Sequence, residues 1–284
     1  CGDCFVPHTD LLERYDFICA DAPTPFSPQN HLSGGRLFVN DLTLWAAERL
    51  NDKGLAIIRV KESFFSRLYS GYSKDLASQD CWIRAAIHLP AGMLRYGQMR
   101  DTYLVVIERG QQRKKLFVGQ YKEDSDHQAN LVRNFKRGKA GPQPALGRLC
   151  APEGFRGFDA FVAQGRLSRL ARKAGWSGHS GSELITVHQR SSTGRDNSLV
   201  SGVNSVFLRS AGRFLATTQL DEVIDGKESR KRFVVHLHVN TDLVEPRYLA
   251  HWFNDSQMGQ ATLSSISRSS VVPQITRRDL YELT

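Results

Sequence analysis

Residues 15–30 read YDFICADAPTPFSPQN. The apolar run "DFICA" predicts a short buried strand, and it ends at Asp21. Pro23, Pro25 and Pro28 follow, and because proline fixes its own φ, the strand must empty into a rigid turn. Phe38, Leu42, Trp45, Ala46 and Leu50 then recur at helical spacing, with Gly54 placed to cap the helix. "LAIIRV" (55–60) predicts a second strand. Residues 62–78 predict a second helix with Phe64, Phe65, Leu68, Tyr72 and Leu76 toward the core. "IRAAIHL" (83–89), "TYLVVIE" (102–108) and "LFV" (116–118) predict three more strands. This β-α-β-α-β-β-β order implies a mostly parallel sheet covered by helices on both faces. The last strands lack intervening helices, so at least one must be antiparallel. Open sheets of this kind bind ligands at the carboxyl ends of their strands, where Asp21 lies.

Beyond residue 135 the composition shifts. "KRGKAGPQPALGRLCAPEGFRG" is rich in Gly, Pro and basic residues and reads as a linker or long loop. Residues 158–174 read as a basic helix in which Arg166, Arg169, Arg172 and Lys173 surround Leu167, Leu170 and Ala171. From residue 184 the pattern becomes short strands with polar turns: "ELITVH", "VNSVFLRS", "FLATTQ" and "RFVVHLHVN". A helix opened by Glu245 and Pro246 follows, with Tyr248, Leu249 and Trp252 on its apolar side. Tyr248, Trp252, Phe253 and Trp45 are read as core residues. The chain ends in a Ser-rich polar loop and a short helix or turn. The expected division is 1–135, an α/β domain; 136–183, a linker and basic helix; and 184–284, an α+β domain.

The whole chain has 284 residues, 40% hydrophobic and 24% charged, a globular balance that fits one large or two medium domains. No apolar run approaches the length of a transmembrane helix and no signal pattern opens the chain, so a cytoplasmic protein is expected. The net charge of +9 favours a polyanionic partner, above all nucleic acid. The five cysteines, Cys1, Cys4, Cys19, Cys81 and Cys150, are scattered, which argues for a reducing compartment rather than a disulfide framework. Cys1, Cys4 and His8 make at most half a zinc site, and His236 and His238 on one strand face lack a third ligand, so no metal is expected.

Two resemblances emerge from these motifs. Over residues 2–121, "YDFICADAPTPF", "LFVNDLTLWAAERLNDKGLAIIRVKESFF", "IHLPAGML" and "DTYLVVIERG" resemble the second half of the catalytic domain of N6-adenine DNA methyltransferases of type I restriction-modification style. That resemblance implies a partial Rossmann-like sheet. It also implies a base-binding turn in which a polar residue accepts from the adenine amino group and an aromatic ring stacks on a flipped base. Asp21, Pro23 and Phe26 fall at that turn, but Ala-Pro-Thr-Pro stands where the family has Pro-Pro. The two extra residues displace Phe26 by several ångströms, at about 3.3 Å per extended residue. No Gly-rich loop for a methyl donor precedes Asp21, and the chain begins at Cys1 rather than Met. The expectation is a degenerate or truncated domain that binds no cofactor by itself, and S-adenosylmethionine only if a missing half is supplied.

Over residues 184–284 the sequence is similar to the target-recognition domain of type I specificity subunits. Glu245-Pro-Arg-Tyr-Leu249, Trp252-Phe-Asn-Asp-Ser256, Gly259, Val272-Pro-Gln-Ile275 and Asp279-Leu280 carry the likeness, while Ser269 and Ser270 stand where a glycine is usual. Such a domain reads duplex DNA in the grooves while basic residues grip phosphate. The residues expected to do so are Lys227, Arg230, Lys231 and Arg232; Arg268, Gln274, Arg277 and Arg278; and Arg190 and Arg195. Three functions follow. The leading one is a DNA reader of restriction-modification descent that pairs with a methyltransferase or specificity subunit or with itself. The others are an N6-adenine methyltransferase completed by missing residues or a partner, and a non-catalytic module that docks on restriction-modification subunits.

Overall fold

The computed structural model describes residues 14–21, 38–67, 73–93, 101–110, 112, 114–152, 155–175, 181–187, 204–226, 233–267 and 274–281. It divides into two compact units, Cys1–Phe158 and Asp159–Thr284.

The first unit is built on a six-stranded sheet: β1 (Tyr15–Asp21), β2 (Leu50–Lys61), β3 (Cys81–Leu89), β4 (Thr102–Arg109), β5 (Leu116–Gln120) and β6 (Arg148–Cys150), in the order β1-β2-β4-β3-β5-β6. β1 pairs parallel with β2, and β3 with β5, whereas β4 is antiparallel to both β2 and β3, and β6 to β5. Thus β1, β2, β3 and β5 share one direction, as the alternating sequence implied. The expectation of a mostly parallel ladder is corrected at its centre. β4 runs back into the slot between β2 and β3, antiparallel to both, so most neighbouring pairs are antiparallel.

β2 shows the period of two that separates the faces. Ala56, Ile58 and Val60 are buried, while Leu55, Ile57 and Arg59 are half-buried. The buried face packs with helices α1 (Phe38–Glu48), α2 (Ser63–Arg67) and α3 (Ser73–Ala77), which supply Leu42, Ala46, Phe64, Phe65 and Leu76 to the core. Leu68 and Tyr72, also read as core, lie outside the described residues. The opposite face receives α4 (Ser125–Arg137) through Leu131 and Phe135, against Ala85, Val106 and Phe117. Asp124 caps α4 by accepting from the His127 N–H at 2.6 Å, and Gly138 closes it in the left-handed region.

Several local expectations change. β1 is not a buried strand. It is bonded on one side only among the described residues, Ile18 is its one buried residue there, and Phe17 is 56% exposed. Gly54 lies inside β2 rather than capping α1; the positive φ falls on Lys53. Residues 136–157, read as linker, carry a 3-10 turn (Pro144–Leu146), edge strand β6 and the buried Phe155.

The second unit begins with α5 (Phe158–Ala174), whose first residue belongs to the unit before, and then α6 (Gly181–Leu184). Its sheet holds β7 (Ile185–Val187), β8 (Ser205–Arg209), β9 (Leu215–Thr217) and β10 (Val234–Val239), in the order β7-β10-β8-β9, antiparallel throughout. One face buries Phe207 and Val234 against Val223 and Ile224 of α7 (Leu220–Ile224). The other buries Val206, Leu208, Leu237 and Val239 against α8 (Pro246–Asp255) and α9 (Gln257–Ile266), with Leu280 of α10 (Arg277–Tyr281) in the same core. In α8 the buried stripe is Pro246, Leu249, Ala250 and Phe253, the spacing of one helical face. Tyr248 falls off that stripe and is 61% exposed, which corrects its reading as core. Trp252 and Trp45 are half-buried.

Candidate functional site

The carboxyl ends of β1, β2, β3 and β5 meet at one edge of the first sheet, and β4 starts there because it runs the other way. Asp21 ends β1 and pairs in register with Arg59, whose Nε donates to Asp21 Oδ1 at 2.5 Å. The Asp21 side chain is 67% exposed and that of Arg59 22%. One carboxylate oxygen is therefore already engaged by a guanidinium, which makes Asp21 a poorer acceptor for an incoming amino group. Pro23 and Phe26 lie outside the described residues.

Along the same edge sits a buried polar cluster that the sequence reading passed over. His88, 3% exposed, places Nδ1 3.2 Å from the Gln120 side-chain amide nitrogen at the end of β5. The Asp101 carboxylate lies 3.2 Å from Nε2, in ion-pair range but off the hydrogen-bond direction. The other Asp101 oxygen accepts from the Ala91 N–H at 2.7 Å. Phe158 stacks on the His88 ring at 5.0 Å, and Tyr103, 5.2 Å from that ring, accepts the Phe158 N–H on its hydroxyl. So enclosed a ring braces the turn after β3 and is not presented to a substrate. The structure does not join His88 to Asp21. The register pairs Asp21 with Arg59, Arg59 with Leu104 and Leu104 with Ile87, so His88, one residue on, faces the opposite side. Three strand spacings, about 14 Å, separate the two strands.

In the second unit, Gln274 is exposed and forms an antiparallel bridge with Ala211, while the Ile275 N–H donates to Ser210 O at 2.8 Å. Arg277 and Arg278 are the first two residues of α10. The turn before it is fixed by a capping box. Asp279 is fully buried and accepts from the Thr276 N–H at 2.8 Å and the Thr276 hydroxyl at 2.5 Å, while Thr276 Oγ1 faces the Asp279 N–H at 3.4 Å. Three of the sequence-predicted DNA residues thus belong to one short segment anchored to the sheet. Arg190, Arg195, Lys227, Arg230, Lys231, Arg232 and Arg268 lie outside the described residues. Of the two histidines on β10, His236 Nε2 lies 2.8 Å from the buried Ser205 hydroxyl and its ring stacks on Phe207, while His238 is exposed. Among the described residues no cluster of three metal-ligating side chains occurs, and no helix is long and apolar enough to cross a membrane.

Cysteine chemistry separates cleanly. Cys81 is fully buried, and burial is the main cause that pushes its thiol up to about 11; the Arg109 charge opposes this and Asp80 adds to it. Cys19 is exposed on β1. Peptide-resolved alkylation of the folded protein is expected to modify Cys19 and spare Cys81 until denaturant is added. A thiol that ionises near 11 folded and near 9.0 unfolded stabilises the fold below 9, and that contribution is lost as pH rises from 9 toward 11. Equal labelling of both in the native state would contradict the packing of β3 against α1.

No protein-family model and no curated protein matches the chain. Among solved structures it is similar to the methyltransferase subunit of a type I restriction-modification system from Streptococcus thermophilus, with 15% identity and a TM-score of 0.39 over 50% of this chain and 36% of that one. A second, from a type I restriction-modification assembly, gives 16% identity and a TM-score of 0.38 over 59% of this chain and 44% of that one. A class I S-adenosylmethionine-dependent methyltransferase described as putative, from Listeria monocytogenes, gives 12% and 0.36 over 44% and 43%. The chain spans less than half the length of each of these structures.

Proposed function

We propose that the chain is a duplex DNA-binding protein of restriction-modification type. In this reading an altered methyltransferase-like sheet, with its turn at Asp21, is joined to a target-recognition-like unit that carries the sequence preference. The observation that supports it most is the anchored segment of Gln274, Arg277 and Arg278. A bridge to Ala211 and a buried capping box hold its backbone, so one glutamine and two arginines, the residue types suited to bidentate base contacts, start from a fixed platform. The net charge of +9 supplies the sequence-independent part of the binding. Pairing with a methyltransferase or specificity subunit belongs to the same proposal. Selection of the intact chain on a randomised duplex library is expected to enrich one recurring motif, and Gln274→Ala is expected to relax it at one position. Recovery of DNA with no sequence enrichment would overturn the target-recognition reading.

A second reading, an N6-adenine methyltransferase completed by further residues or a partner, draws on one feature. Asp21 stands exposed at the carboxyl end of β1, where such a base acceptor belongs. It predicts methyl transfer to adenine that Asp21→Ala abolishes. The Arg59 pairing favours the first reading.

A further inference from the structure

We infer that the basic face of α5 is a binding surface for the phosphate backbone of duplex DNA, additional to the loops of the target-recognition-like unit and resting on the DNA-binding reading above. At 3.6 residues per turn, Arg166, Arg169, Arg172 and Lys173 fall within about 120° of arc. All four are exposed. Ala160, Leu167, Leu170 and Ala171 fall on the other side of the helix, and each is buried or half-buried. The only acid on the helix is Asp159, in its first turn. No carboxylate lies within ion-pair distance, 4.0 Å, of any of the four cations among the described residues. The nearest engagement is Arg169 Nε, which donates back to Gly165 O at 3.3 Å.

A purely structural account covers part of this pattern. Arg172 and Lys173 stand in the last turn, where a positive charge favours the helix dipole. Arg166 and Arg169 stand in the middle, where the dipole contributes nothing, and no carboxylate among the described residues pairs with them. The set from Arg166 to Lys173 rises about 10 Å along the helix, close to the rise of three nucleotides on one strand. Three of the four are arginines, whose planar fork matches phosphate oxygens. An acidic protein surface would also attract this face, but carboxylates there come with their own cations. A row of phosphates matches four exposed cations on one arc better.

The test compares the intact chain with an Arg166→Gln/Arg169→Gln/Lys173→Gln variant, both checked for unchanged helix content by circular dichroism. Fluorescence anisotropy with a labelled duplex is read across a salt series, with polyglutamate as the acidic-polypeptide control. The variant is expected to bind duplex at least about tenfold more weakly, with a log–log salt slope shallower by about 2 to 3. If both proteins bind duplex with the same affinity and slope, the α5 surface is overturned while the DNA-binding reading stands. Loss toward polyglutamate but not toward duplex would overturn it in favour of an acidic protein partner. If the unmodified chain fails to bind duplex, both fall.

Discussion

Replacing Phe65 by Ala is expected to remove about 3–5 kcal/mol from the stability of the first unit. Phe65 is fully buried on α2 and meets three rings edge to face: Phe155 at 4.7 Å, Tyr103 at 4.9 Å and Phe64 at 5.6 Å. Two of these rings, Tyr103 and Phe155, come from residues far along the chain, so no local adjustment of α2 closes the cavity that truncation leaves. A loss of that size approaches the whole stability of an ordinary domain, about 5–15 kcal/mol. It also reaches the edge where Asp21 and His88 sit, because Tyr103 accepts from the Phe158 N–H and both rings pack on His88. Scanning calorimetry of the intact chain checks it. A marked fall of one transition is expected, and a change below about 1 kcal/mol would contradict a close-packed ring cluster.

Gly259→Ala is the second large effect, expected at about 3 kcal/mol, the upper end for overpacking. A methyl on Gly259 would lie 1.9 Å from Trp252 O, 2.6 Å from Trp252 C and 3.0 Å from Phe253 Cα. All three are backbone atoms of α8, so no side-chain rotation relieves the clash. α9 would have to move away from α8, opening the core that holds Leu249, Phe253 and Leu263. Gly165→Ala in α5 is the control. Nothing lies within 4 Å of its added methyl, and a helix-interior Gly to Ala change stabilises by up to about 1 kcal/mol. The two substitutions should shift the melting temperature in opposite directions; a shared direction would contradict the close approach of α8 and α9.

These two positions also mark what the sequence could and could not disclose. Gly259 stood out as part of a motif, but only the fold gives its reason, a backbone crossing too close for any Cβ. Phe65 was read as core from helical spacing, and the strands beside it from apolar runs, because local periodicity reports burial on a local face. α4 and α9 were passed over although Asp124, Gly138 and Ser256 are cap residues in the right places. Both helices are largely polar or small-residue in composition, so few large apolar side chains mark their buried face. The placement of β4 between β2 and β3 depends on non-local pairing. So does the meeting of His88, Asp101 and Gln120, which are separate in sequence and brought together by strand order. Asp21 was legible as a strand-end acid, but its Arg59 partner was not, since register with β2 sets that pair.

In the proposed function, duplex DNA is held largely through phosphate neutralisation. Equilibrium binding of the intact chain to a duplex across a salt series tests it most directly. Saturable binding is expected, with log affinity falling linearly with log salt at a slope steeper than about −4, as for five or more phosphate contacts. Binding that is absent, or that does not change with salt, would contradict it and point to a module that docks on protein.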